Sequence, residues 1–135
     1  MHGGLLNVGK ACTKLEYLIL RELGSILRGN ALCIFAENCR NLNLIDISYE
    51  QLSDNGLLSF SELKYLRVLI AESCPLLTTD GIVNSMGNKK LKHLNILGCK
   101  QVDLHAIQRS IPNSWMPVRR EGGRRNRRRR REYYF

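Results

Sequence analysis

Apolar positions recur along this chain as a short phrase, not as one long run. The phrase Leu-x-x-Leu-x-Leu, with aliphatic substitutions, occurs at Leu15/Leu18/Leu20, Leu42/Ile45/Ile47, Leu66/Leu69/Ala71 and Leu91/Leu94/Ile96. Successive copies are separated by 27, 24 and 25 residues. A period of that size marks an array of small structural units, none of which can bury its apolar side chains alone. Within each phrase the apolar and polar positions alternate, which predicts a short strand with its two sets of side chains on opposite faces. Leu18 and Leu20, Ile45 and Ile47, Leu69 and Ala71, and Leu94 and Ile96 then point into the core.

A second recurring piece lies between the phrases: Ala31–Ala36, Ser53–Leu58 and Thr79–Met86. Its apolar spacing predicts a short helix, and Ser53, Asp54, Thr79 and Asp80 are residue types suited to capping a helix N-terminus. Gly4–Cys12 reads as the helical half of an earlier unit, so the chain is expected to begin mid-repeat, as part of a longer protein. At the other end Asp103 can cap a last helix running to Ile111, after which Pro112 and Pro117 stop the pattern and Trp115 is placed to cover the final apolar face. Cysteine keeps the same register. Cys12 and Cys39 stand three residues before a phrase, and Cys74 and Cys99 stand eight residues after its first position.

Together these features resemble leucine-rich repeats of the cysteine-containing class, whose pattern is roughly C-x-x-L-x-x-L-x-L-x-x-C-x-x-[IL]-[ST]-D-x-G-[LI]. The match is best over Cys39–Leu57 and Leu66–Ile82 and extends over about residues 4–111. Glu50 and Leu23 stand where the second cysteine is usual, and Arg28 stands in place of the Asp. The resemblance implies an α/β solenoid, a right-handed superhelix of about four repeats with parallel strands on its concave face, over residues 1–117. The nearest family by this resemblance is the F-box and leucine-rich-repeat proteins, substrate receptors of SCF-type cullin ubiquitin ligases. It implies a protein substrate on the concave face, and a Skp adaptor and cullin reached through an F-box that does not precede the repeats in this sequence. The alternatives are a free-standing repeat scaffold and a nucleic-acid binder acting through the C-terminal tail.

Composition narrows the class without choosing among these. The chain has 135 residues, 44% hydrophobic and 24% charged, the balance of one ordinary globular domain. No apolar run approaches the ~18 residues of a membrane span, and the first residues lack the form of a secretory signal, so no membrane partner is expected. Five cysteines and no Asn-x-Ser/Thr acceptor suit a reducing compartment, the cytoplasm or nucleus. The nearest cysteine pair, Cys33 and Cys39, is spaced too widely for a usual structural zinc site, and each thiol reads instead as a small buried hydrophobe. His2, His93 and His105 have no nucleophile at a recurring catalytic spacing, and no glycine-rich phosphate loop follows a strand. Neither catalysis nor a cofactor is expected.

The candidate site is therefore the outward side of the strands, where three rows of side chains cross the repeats. They are Tyr17, Leu44, Val68 and His93; Ile19, Asp46, Ile70 and Asn95; and Arg21, Ser48, Glu72 and Leu97. Leu44, Val68, Ile70 and Leu97 would form a contiguous apolar patch, and Tyr17 and Arg21 are the types most often found as binding hot spots. The formal charge of +9 is uneven: residues 118–135 hold nine Arg against two Glu, leaving +2 for residues 1–117. This tail, with Arg124, Arg125, Arg127, Arg128, Arg129, Arg130 and Arg131, is expected to be disordered. Its charge suits a polyanion or an importin, with Tyr133, Tyr134 and Phe135 available for stacking on bases.

Overall fold

The structure, a computed structural model, describes residues 3–23, 31–87, 91–110, 118–119 and 133–134. Each apolar phrase centres on a three-residue strand: β1 Tyr17–Ile19, β2 Leu44–Asp46, β3 Val68–Ile70 and β4 His93–Asn95. They form one parallel sheet in the order β1-β2-β3-β4. The ladder aligns Leu18 with Ile45, Ile45 with Leu69 and Leu69 with Leu94, so the sequence period is the register of the sheet. Parallel neighbours need a crossover connection, and a helical piece supplies it each time. These are α1 Gly3–Ala11, α2 Ala31–Asn38, α3 Asp54–Leu58 with a 3-10 turn over Ser59–Glu62, α4 Thr79–Met86 and α5 Leu104–Ser110. Each helix packs on the next in the series, giving an α/β fold with the helices in a row behind the sheet.

The core lies between the two layers. Leu18, Ile45, Leu69 and Leu94 fill it from the strands, Ile47, Ala71 and Ile96 from just beyond them, and Leu32, Phe35, Leu57, Phe60, Ile82, Met86 and Ile107 from the helical side. Burial weakens toward the first unit, where Leu15, Leu20 and Leu23 are only half-buried against the same cluster. The few apolar side chains of one unit cannot close a core, which is why the units depend on one another.

Three further kinds of link join neighbouring units, and only the cysteine spacing announced any of them. After every strand one residue turns into the left-handed region: Glu22 (φ 57°), Tyr49 (φ 64°), Ser73 (φ 51°) and Gly98 (φ 74°). Side chains other than glycine adopt this conformation at a cost of about 1–2 kcal/mol. Here Glu22, Tyr49 and Ser73 are held there because their N–H groups donate to Ser48 O, Glu72 O and Leu97 O of the following unit. Next, thiols at two places in the repeat bond backward: Cys39, before its strand, donates to Cys12 O (3.1 Å), and after their strands Cys74 donates to Ile47 O (3.2 Å) and Cys99 to Ala71 O (3.0 Å). Glu50 occupies the place of Cys74 and Cys99 in its own unit, and its Oε1 accepts the N–H of Leu23 at 2.5 Å. The third kind of link joins helix starts. Asp54 accepts both Thr78 N (2.9 Å) and Thr78 Oγ1 (2.6 Å), and Thr79 Oγ1 accepts Asp103 N (2.8 Å).

The caps differ in one place from the sequence reading. Thr78, not Thr79 or Asp80, caps α4: its backbone is extended (φ −112°, ψ 164°) and its Oγ1 accepts Gly81 N at 3.2 Å. Thr79 and Asp80 sit inside the first turn, which frees the Thr79 hydroxyl for Asp103. Ser53 holds the equivalent place before α3 but makes no side-chain cap bond. Asp103 caps α5 as expected, with Oδ1 accepting His105 N and Ala106 N. Gly81 permits the Asp54 contact, because a Cβ there would overlap the Asp54 carboxylate.

In the tail, Val118–Arg119 (β5) pairs antiparallel with Tyr133–Tyr134 (β6). Apart from these two dipeptides, the tail over 118–135, expected to be disordered, falls outside the described residues. Arg28, Ile111, Pro112, Trp115, Pro117, and Arg124 to Arg131 also lie outside them.

Candidate functional site

Parallel, in-register strands bring the first two outward rows together as read. Tyr17 stands beside Leu44, Leu44 beside Val68 and Val68 beside His93, while Ile19, Asp46, Ile70 and Asn95 form the second row. The third row lies just past the strands and is tied across units by the backbone bonds of the left-handed turns. Tyr17 (61% exposed) and Ile19 (62% exposed) are the prominent apolar groups of this face, with Arg21 and His93 also exposed. Leu44, Val68, Ile70 and Leu97 are half-buried, so the apolar patch is anchored at the β1 end and continues as a shallow floor toward β4.

Asp46, Ser48 and Asn95 are buried and take part in a polar network. Asp46 Oδ1 accepts both Ser48 N (3.0 Å) and Ser48 Oγ (2.7 Å), and Ser48 Oγ in turn accepts Glu72 N (3.1 Å). Asn95 repeats the local device two units on: its Oδ1 accepts Leu97 N at 3.1 Å, and its Nδ2 donates to Glu72 Oε1 at 2.6 Å. Side chains of this kind commonly satisfy the N–H two residues ahead and so end a strand. Arg21 joins the network at its edge. Its Nε lies 3.6 Å from Asp46 Oδ2, and its guanidinium carbon lies 5.4 Å from the centre of the Tyr49 ring. Held between a carboxylate and an aromatic face, Arg21 is a fixed, partly exposed cation.

Tyr49 and Tyr65, both exposed, border this surface and were missed by reading strands alone. Tyr49 occupies the left-handed turn position and Tyr65 the turn before β3, so strand alternation does not reach either. Their signal was compositional: a large aromatic in a polar turn. Among the described residues no group of three His, Cys, Asp or Glu side chains is placed to hold a metal, and no helix is long and apolar enough to cross a membrane. The chain matches no family model, and no curated protein matches it.

Proposed function

We propose that the chain is a leucine-rich-repeat solenoid of the cysteine-containing class, and that it binds another protein on the outward face of its strands. The observation that carries this reading is the exposed pair Tyr17 and Ile19 on a sheet whose opposite face is fully packed. A fixed sheet holds such groups at low entropic cost, which favours recognition by preorganisation. Aromatic anchors beside a charged residue are typical of binding hot spots. We assign the module to substrate recognition for an SCF-type ubiquitin ligase, on the strength of the repeat pattern. It would act by positioning: a captured protein gains a high effective concentration at the ligase, with no chemistry in the receptor. Adaptor contact then belongs to an F-box other than residues 1–135.

The test compares proteins crosslinked in cells to the full chain with those crosslinked to Tyr17→Ala/Ile19→Ala. Partners held by the face should disappear from the variant while its melting temperature stays unchanged; an identical partner set refutes the face. Skp adaptor or cullin among the partners carries the ligase assignment, and face-dependent partners without them favour a scaffold.

A further inference from the structure

We infer that the partner of the outward face is a polypeptide segment carrying acidic residues beside its apolar anchors, with the acidic residues lying along the edge where the strands begin. This deepens the protein-binding reading above and rests on it. Backbone bonds place Glu16, Asn43, Arg67 and Lys92 in one row at that edge: Asn43 N donates to Glu16 O, Arg67 N to Asn43 O and Lys92 N to Arg67 O. The turns just before the strands add Lys14, Arg40 and Lys64. Five cations therefore face one exposed carboxylate, Glu16, along the rim that adjoins Tyr17 and His93.

Apart from exposed Glu22, carboxylates toward the opposite edge are occupied inside the fold. Asp46 is bound to Ser48 and Arg21, Glu50 to Leu23, Asp54 to Thr78, Glu72 to Asn95, and Asp103 to the first turn of α5. The basic rim has no such employment. Lys14, Arg40, Lys64 and Lys92 are exposed, and the one ion pair among the described residues is Arg21 with Asp46. Arg67 alone is tethered, its guanidinium donating to Lys64 O and Leu66 O. Uncompensated charge of one sign beside an apolar floor selects a partner of opposite sign and speeds its approach. The aliphatic floor of Ile19, Leu44, Val68 and Ile70 suits the apolar side chains of a peptide, which a phosphate backbone lacks.

Short random peptides displayed on phage and selected on the full chain test this. Binders lost on Tyr17→Ala/Ile19→Ala define the set directed to the face. Those binders should be enriched in Asp and Glu next to apolar residues, and should bind Lys14→Glu/Arg40→Glu/Lys64→Glu at least roughly tenfold more weakly. The arginine-rich tail is common to parent and variant, so its own capture of acidic peptides cancels. Affinity should also fall as added salt shortens the screening length below about 8 Å. Face-directed binders that are neutral or basic, or equal binding by the charge-reversed chain, overturn the inference and leave the protein-binding reading standing. A selection in which no binder depends on Tyr17 and Ile19 overturns both. Displacement of the acidic peptides by a single-stranded oligonucleotide of equal charge assigns the rim to nucleic acid instead.

Discussion

Gly98 is the glycine of the left-handed column, and its neighbours show what the position demands. At φ 74° a side chain is strained, and a Cβ would come within 2.7 Å of Ser73 Oγ. Gly98→Ala should therefore lose about 1–2 kcal/mol in urea unfolding; an unchanged midpoint would show that the turn relaxes freely. The thiols set a different residue-scale expectation. Burial, reinforced by the nearby Cys12, raises the Cys39 pKa, and the hydrogen bond with Cys99 followed by burial raises that of Cys74. A raised folded pKa means that the fold prefers the protonated thiol, while in the unfolded chain the thiol titrates near 9.0. The stability these groups contribute is complete below that pH and is lost progressively as pH rises from there toward the raised folded pKa. Urea midpoints should fall between about pH 8 and pH 10 by less in Cys39→Ser/Cys74→Ser than in the parent. The cysteine period was plain in the sequence, but its purpose, a thiol returned to the preceding unit's carbonyl, was not. Hydrogen bonding between residues 27 or 28 apart leaves no local pattern.

At the scale of elements, three-residue strands and helices of five to nine residues are too short to persist alone. Their boundaries were still legible, because period-two alternation and turn chemistry change over at the same places in each unit. The misplaced cap of α4 shows the limit. Thr78, Thr79 and Asp80 are all capping types, and the choice among them fell to the neighbouring unit, where Asp54 binds Thr78 and Asp103 binds Thr79. This joint predicts a coupling between helices. Asp54→Ala leaves the Thr78 N–H without its carboxylate and should cost about 1–3 kcal/mol, whereas Asp54→Asn, which keeps an acceptor, should cost less. Equal losses in denaturant midpoint would mean that the link between α3 and α4 contributes by packing alone.

For the whole molecule, the decisive property is that every unit borrows its core from the next. Leu66 is fully buried with units on both sides, while its equivalent at the start of the array, Leu15, is half-buried. Leu66→Ala should therefore cost about 2–5 kcal/mol and Leu15→Ala distinctly less, read as the shift of one cooperative transition. Similar losses at both positions would indicate that stability is not graded along the array. The outward face belongs to this scale too. Its rows were readable as soon as the period was found, since in-register stacking converts every 24 to 27 residues into one step across the sheet. Which members of the rows remain available was not readable: Asp46, Ser48 and Asn95 look like contact residues in sequence and are hydrogen-bonded in the fold.

The amino-acid order by itself determined the strands, the helices, the register between units and the residues of the core. All of these follow from local periodicity, and a repeated phrase can be stacked satisfactorily in only one register. Tertiary structure alone decided which polar side chains are occupied, which cation stands between a carboxylate and a ring, and where charge is left uncompensated. Those outcomes depend on neighbours a full repeat away, and a side chain's identity does not record whether its hydrogen bonds are already satisfied.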